Sequence, residues 1–244
     1  MDARLRTGRW GRRARVTWTV VSYLVVQSLL LGVAILPAAM ALEAVEPWLP
    51  SARWGRLVAL AVGMLPMYVV CALTLAVSTA VTVRLLGWRT VAGLDLPIAA
   101  YEWPALDWAR RAMCSHVVRL LVAAPLRSTP LWSLFLRLNG ARMGRGVWVN
   151  SVKVIDHDLL SLGDGTVIGD DVHLSGHTIE DGRLKTGTVQ VGRGVTIGVG
   201  SVIGIDVVIG DHCRVGALSF VPKHARLEGG ATYAGIPVRR LADR

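Results

Sequence analysis

From residue 191 onward an aliphatic side chain recurs at every sixth position: Val191, Ile197, Ile203, Ile209, Val215 and Val221. Each is followed by Gly192, Gly198, Gly204, Gly210, Gly216 and finally Pro222. Two places before each stands a small or β-branched residue, in order Val189, Val195, Ser201, Val207, Cys213 and Ser219. An earlier block keeps the rule at Leu162-Gly163, Ile168-Gly169 and Leu174-Ser175, with weaker members at Met143-Gly144 and Val149-Asn150. A period of six matches neither the 3.6-residue repeat of a helix nor the two-residue alternation of a flat strand. It predicts a left-handed parallel β-helix of hexapeptide repeats, each repeat laying one short strand on one face of a prism. The aliphatics point inward and stack coil upon coil into a continuous column. Burying each such Val or Ile contributes roughly 1.5–3 kcal/mol, enough for the column to hold the solenoid together.

The register breaks in two places. The spacing from Ile155 to Leu162 is seven, which admits Asp156, His157 and Asp158. A larger interruption between Leu174 and Val191 runs from Gly176 to Lys185 and is polar. The expectation is a loop ejected from a stiff coil, where the scaffold fixes the ends of a segment that can carry chemistry.

Upstream the pattern changes. Residues 16–36 and 57–83 carry no charged side chain, and each is long enough at about 1.5 Å per residue to cross a hydrocarbon core of about 30 Å. Gly63 and Pro66 interrupt the second run and predict a kink or tilt. A tight connection containing Pro37, Glu43, Glu46, Pro47 and Pro50 joins the two. Ala38-Ala39-Met40-Ala41 also fits a signal-peptide cleavage site, but the length of the run and the span that follows favour a retained transmembrane hairpin. The expected organisation is a basic arm over 1–15, the hairpin over 16–83, a juxtamembrane helical collar over 84–142 and the β-helix over 143–244. In the collar, Trp88, Trp103, Trp108 and Trp132 and the arginines 110, 111, 119, 127 and 137 interleave with aliphatics. Two readings follow, helices lying on the headgroup layer or a collar packed on the β-helix alone.

Composition sharpens this picture. The chain is 52% hydrophobic and only 18% charged, so a soluble core alone does not account for its apolar surface. The net charge of +10 would suggest nucleic acid if it were spread over a soluble domain. Instead Arg4, Arg6, Arg9, Arg12, Arg13 and Arg15 crowd the start, just before the first apolar run, which reads as a topology signal and a contact for anionic lipids. With Arg84 and Arg89 after the second span, the rule predicts that the carboxy-terminal domain is cytoplasmic; the expected location is the inner (plasma) membrane of a bacterium. Cys71, Cys114 and Cys213 form neither a disulfide framework nor a metal knuckle, so they read as reduced thiols.

Residues 143–240 resemble the hexapeptide-repeat acyltransferases, in particular the maltose, galactoside and nodulation acetyltransferase branch. The resemblance rests on Leu174-Ser175-Gly176-His177, then Glu180, Asp181 and Arg183, then the resumed coil Val189-Gln190-Val191-Gly192. It continues in Val215-Gly216-Ala217-Leu218-Ser219-Phe220-Val221-Pro222-Lys223 and in the closing Gly235-Ile236-Pro237-Val238-Arg239. The whole layout, including the segment from Leu131 to Gly144, is similar to one span-plus-condensing-domain unit of poly-ε-lysine synthetase-type nonribosomal peptide synthetases.

The resemblance implies direct acyl transfer from a thioester to a hydroxyl or amine, in a homotrimer with sites between subunits. A sugar hydroxyl, a lipid headgroup and a peptide amine all stay open as the acceptor, with O-acetyl transfer from acetyl-CoA to a sugar or lipid as the alternative to peptide-bond formation. It implies as donor acyl-CoA or a thioester on carrier-protein phosphopantetheine, with no permanently bound cofactor. A nonribosomal peptide synthetase or carrier protein is the implied partner, beside membrane lipids. The base that takes the acceptor's proton needs a pKa near neutrality, which suits histidine, and His177 is the candidate. Glu180 or Asp181 would orient it, as would Asp156 or Asp158 from a neighbouring coil or subunit; Asp156, Asp158 and Arg183 are the candidate substrate contacts. For the donor, Gly198, Gly216, Ser219 and Gly235 would let its arm approach, and Lys223, Arg239 and Arg240 would meet phosphates. Leu218 stands where the family has Gly; its bulk disfavours free acetyl-CoA in the family's usual pose and keeps the carrier-bound thioester open as the alternative donor. Two other classes stay open: a zinc site built from His173, His177 and His212, whose spacing fits poorly, and a non-catalytic trimeric membrane scaffold.

Overall fold

The structure is a computed structural model that describes residues 3–242; the side chains of Arg4, Arg6 and Arg9 lie outside what it describes. Two long helices open the chain, α1 (Ala3–Val45) and α2 (Arg53–Leu85). The helical stretches Gly11–Trp48, which takes in a 3-10 turn after α1, and Arg53–Leu85 are long and apolar enough to cross a membrane, each reaching a mean hydropathy of 2.2. Leu30 and Ala34 of α1 join Ala72, Leu75 and Ala76 of α2 in one buried cluster, so small residues let the helices approach closely. The outward faces stay apolar and uncovered, with Leu29, Val62 and Leu65 all more than 60% exposed. Pro37 lies inside α1 rather than in the connection where its helix-breaking character places it. The run Ala38-Ala39-Met40-Ala41-Leu42 behind it consists of strong helix formers, which carry the helix on to Val45.

Residues 142–240 form a parallel β-helix. Its repeat is 18 residues, as in the pairing of Ile197 with Val215, Ile203 with Val221, and Ile209 with Leu227. The short strands fall on three faces, with sheets of six, three and five strands. Inward positions are closed. Val189, Val195, Ser201, Val207 and Cys213 have no measurable exposure, and the alternate inward residues Ile197, Ile203 and Ile209 are at most 1% exposed. The glycine after each aliphatic sits where coils touch: a Cβ on Gly198 would lie 2.4 Å from the amide nitrogen of Ala217.

Between hairpin and coil lies helix α3 (Trp103–Val118), followed by a π-helical turn over Arg119–Ala123 and a helix over Pro130–Leu138. Trp132 is buried and donates its indole N–H to the Ser151 carbonyl at 3.1 Å. Arg110 and Arg111, placed by the sequence among headgroup-facing residues, are instead 3% and 6% exposed. Arg110 pairs with Asp107 at 2.7 Å and reaches Thr19 of α1 at 3.1 Å. It also lies over the Trp88 and Trp103 rings. Arg111 pairs with Asp158 at 3.4 Å and donates to the carbonyls of Trp88 and Asn139. Burying a guanidinium is costly unless it is paired, and the contacts these two side chains make tie the two amino-terminal helices, the collar and the coil together, although Nε of Arg110 is buried without a partner.

Both register breaks differ in detail from the expected loops. Val154, not Ile155, occupies the inward position, buried and bridged to Leu174. The extra residues are taken up by Asp156, in the left-handed region at φ 53°, and by the single 3-10 turn His157–Leu159. The Gly176–Lys185 interruption is a β-hairpin rather than a loop: His177–Glu180 pairs antiparallel with Arg183–Thr186. Asp181 and Gly182 both take positive φ at its tip. A third strand from the collar, Asp95–Pro97, adds to the same sheet against Arg183–Thr186.

Candidate active site

The two breaks meet at one corner of the prism. The hairpin strand begins at His177, and the Asp156 carboxylate lies below it, with Nδ1 of His177 2.6 Å from Oδ2 of Asp156. Gly176 makes this approach possible, because a Cβ there would lie 2.7–2.8 Å from Leu159 side-chain atoms and 3.1 Å from Cβ of Asp156. Its amide donates to Oδ2 of Asp156 at 3.1 Å and the Ser175 hydroxyl donates to the same oxygen at 3.2 Å. Trp108 of α3 donates its indole N–H to the other carboxylate oxygen at 3.0 Å. The same indole packs edge-on against the imidazole, with ring centroids 4.7 Å apart.

Electrostatics follow from this geometry. Burial by itself pushes the Asp156 carboxyl up, but the hydrogen bonds from His177, Trp108 and Ser175 outweigh it and hold the group below the usual carboxylate range. Asp156 is therefore an anion at neutral pH. It fixes the tautomer of His177 with the proton on Nδ1, which leaves Nε2 as the basic nitrogen. His157, one residue on, is wholly buried against Phe135, and its Nε2 lies 3.0 Å from the Val154 carbonyl oxygen. Burial, with the nearby Arg111 charge, drops its pKa to about 3, so it is neutral.

His177 lines two cavities. One, of about 310 Å³, runs along the coil between His173, Glu180, Val202, Phe220 and Lys223. The other, of about 380 Å³, lies between the coil and the helices and is walled by Tyr23 of α1 and by Trp108, Met113, His116 and Arg119. The imidazole stands where they adjoin.

The remaining sequence candidates are distributed as follows. Glu180 lines the coil-side cavity together with His177 and pairs with Lys223 at 2.5 Å and Lys185 at 3.4 Å. Asp181 is at the hairpin tip. Neither Glu180 nor Asp181 is the hydrogen-bond partner of His177; that place is taken by Asp156. Asp158 receives the Thr90 amide at 2.7 Å and the Arg111 guanidinium, and burial raises its pKa in spite of Arg111. Arg183 is bound to Asp95 at 2.6 Å. The candidate contacts Asp158 and Arg183 thus fasten the collar to the coil. On the donor side, the Ser219 hydroxyl accepts from the Gly235 amide at 3.2 Å. Gly216 lies beside Ala234, and Gly235 needs its φ of 108°. Leu218 is 71% exposed. Arg240 pairs with Glu228 at 2.9 Å, and Arg239 lies in the closing antiparallel strand. Trp108 is the site residue that sequence reasoning read only as an interfacial aromatic. Among the described residues no group of three or more His, Cys, Asp or Glu is arranged to hold a metal, and His212 sits at a coil turn with φ 57°.

A three-sided hexapeptide coil with an Asp–His pair at its insertion defines the class: this is a hexapeptide-repeat β-helix protein with a helical amino-terminal region. Among known proteins, the chain is 30% identical over 160 residues, 64% of its length, to the delta-poly-L-ornithine synthetase of Acinetobacter baumannii. It spans 12% of that protein. Similar solved structures include a hexapeptide-repeat acetyltransferase from Vibrio cholerae complexed with acetyl coenzyme A (TM-score 0.39, 22% identity, covering 42% of this chain and 60% of that one). Another is a galactoside acetyltransferase in complex with coenzyme A (TM-score 0.41, 20% identity, 54% and 80%). No protein-family model matches the chain.

Proposed function

We propose that the protein is a membrane-anchored acyltransferase of left-handed β-helix type in which His177 is the general base and Asp156 its orienting carboxylate. The observation that carries this reading is the 2.6 Å contact between Nδ1 of His177 and Oδ2 of Asp156, made at the junction of two cavities. The coil-side cavity receives the thioester and the helix-side cavity receives the acceptor. Nε2 of His177 takes the proton from the acceptor hydroxyl or amine as its oxygen or nitrogen bonds to the thioester carbon. The carbon–sulfur bond then breaks, and the proton passes from Nε2 to the departing thiolate. The ester or amide and the free thiol are the two products, and His177 returns to its starting state.

The donor is acyl-CoA or a pantetheine thioester held on a carrier protein. The likeness to the ornithine-polymer synthetase favours an aminoacyl thioester as a second reading, with amide formation in a nonribosomal peptide setting. The two apolar helices support anchoring with the β-helix on the cytoplasmic face, and the repeat architecture supports a trimer. Incubating the full chain with acetyl-CoA or an aminoacyl-pantetheine thioester and a panel of amine and hydroxyl acceptors, read by intact mass, tests the reading. Acylated product is expected with wild type and is expected to be lost with His177→Ala. Equal product from the variant would remove the proposed base.

A further inference from the structure

The helix-side cavity is built unlike a site for a free, water-soluble acceptor. One wall is Tyr23, in the middle of the first apolar run of α1, and the others come from α3 and the coil. The exposed surface of its lining is mostly apolar, Met113 in it is 43% exposed, and Leu120 and Leu121, which follow the lining residue Arg119 in the chain, are 67% and 48% exposed. Chain geometry brings the membrane helices to this place a second time: the Tyr68 hydroxyl of α2 donates to the Leu121 carbonyl at 2.5 Å. Leu121 lies in the π-helical turn Arg119–Ala123, and such turns cluster at functional sites because they re-aim side chains.

The side chains of opposite charge in the lining are Arg111 and Arg119 on one side and Asp156 on the other. Arg119 donates one guanidinium N–H to Nδ1 of His116 at 2.8 Å, which leaves further donors of its planar fork for a ligand. Arg111 lies behind them, already matched by Asp158. The carboxylate in the lining is Asp156, and its oxygens are committed to His177, Ser175, Gly176 and Trp108. A cationic acceptor such as a free diamine finds no free carboxylate oxygen here and is repelled by Arg119, whereas an anionic group meets a fork suited to phosphate.

We propose that the acceptor is a membrane amphiphile that carries an anionic phosphate next to its reacting amine or hydroxyl. It enters from the bilayer with its apolar part against α1 and α3, its phosphate on Arg119 and its nucleophile at Nε2 of His177. The proposal rests on the acyltransferase reading and narrows its acceptor; the bonds made and broken are those already given.

The test uses the full chain reconstituted in vesicles of phosphatidylethanolamine and phosphatidylglycerol, with radiolabelled acetyl-CoA or aminoacyl-pantetheine as donor. Parallel reactions offer glycerophosphoethanolamine and glycerophosphoglycerol, the same headgroups without acyl chains, and free ornithine. Label is expected in the lipid fraction, at least about tenfold above the soluble headgroups, since apolar burial is lost with the chains. Arg119→Gln is expected to raise KM for lipid about tenfold with kcat little changed, the size expected for one charge-assisted hydrogen bond. Arg119→Lys should recover part of that loss, and Arg127→Gln, a surface arginine paired with Asp170, should change nothing. Labelling of soluble headgroups or ornithine as fast as lipid would overturn the lipid assignment and leave acyl transfer standing. So would an Arg119→Gln variant with unchanged KM. Absence of label in every arm would overturn both.

Discussion

Asp156 and His177 are 21 residues apart in the chain, yet their side chains meet at 2.6 Å. The cause is the solenoid. Asp156 sits in the short insertion of one coil and His177 begins the hairpin inserted in the next, and parallel stacking of Val154 on Leu174 superposes the two interruptions. The carboxylate is 4% exposed and the imidazole 21%, so the anion is shielded while the base stays reachable. Both members of the pair come from one chain.

The pair predicts comparable losses of kcat from either member. His177→Ala should lower kcat by roughly 10²–10⁴-fold, the usual contribution of a positioned general base. Asp156→Asn keeps the size of the side chain but removes the charge that fixes the Nδ1–H tautomer. It should lower kcat by roughly the same order, with KM for the thioester nearly unchanged. Steady-state kinetics with a chromogenic thiol readout measures both. An Asp156→Asn enzyme of wild-type kcat would show that the carboxylate does not orient the base.

Glu180 supplies the counter-experiment. Its carboxylate is occupied by Lys223 and Lys185, and the Lys223 pair holds its pKa below the ordinary range. Lys223 lines the coil-side cavity. Glu180→Gln should therefore release Lys223 and lower KM for a phosphate-bearing donor such as acetyl-CoA, leaving kcat almost unchanged. A large fall in kcat instead would return Glu180 to the role of orienting acid.

How much of this was legible in the sequence varies with the range of the interaction. The six-residue repeat specifies inward and outward positions locally, and Ile197, Ile203 and Cys213 are buried as the pattern requires. The hairpin had a local signal too: Asp181-Gly182, flanked by four residues on each side, is a strong turn dipeptide for tight antiparallel pairing. Reading the segment as a polar loop overlooked it. Trp108 and Arg111 were not legible. Their partners, Asp156 and Asp158, lie dozens of residues away, and only the docking of α3 on the coil makes an indole a carboxylate donor and an arginine a buried latch. The identity of the orienting acid depends on which insertion stacks under which. Sequence left Asp156, Asp158, Glu180 and Asp181 all open for that reason.

The latch is testable apart from catalysis. Arg111→Met removes the partner of a partly buried, already disfavoured Asp158 anion, and breaking such a pair from one side costs at most about 3–5 kcal/mol. Asp158→Asn in the same background should restore part of that stability, because no unpaired charge then remains. Thermal unfolding of the four proteins of the cycle in one detergent gives the coupling. Additive effects would mean that the two side chains do not communicate.

His157 sets the acid limit. In the unfolded chain its pKa is near 6.5, and in the fold burial lowers it to about 3. Between those values the unfolded chain binds the extra proton and the folded chain does not, so stability falls as pH falls. This group's contribution is complete above about pH 6.5 and drains away down to about pH 3, with a limiting slope of about 1.4 kcal/mol per pH unit. Asp156, with its depressed pKa, acts in the same direction, but its loss comes only below the ordinary carboxylate range, as pH falls through its folded value. His157→Gln should be less stable than wild type at pH 7.5, because the contact with the Val154 carbonyl is disturbed. The gap should narrow steadily as pH is lowered to 4.5, because the variant has no imidazole to protonate. Denaturant midpoints of the two proteins across that range provide the check. A constant gap would mean that the imidazole titrates in the fold as it does in the unfolded chain, and a widening gap that it is charged in the fold.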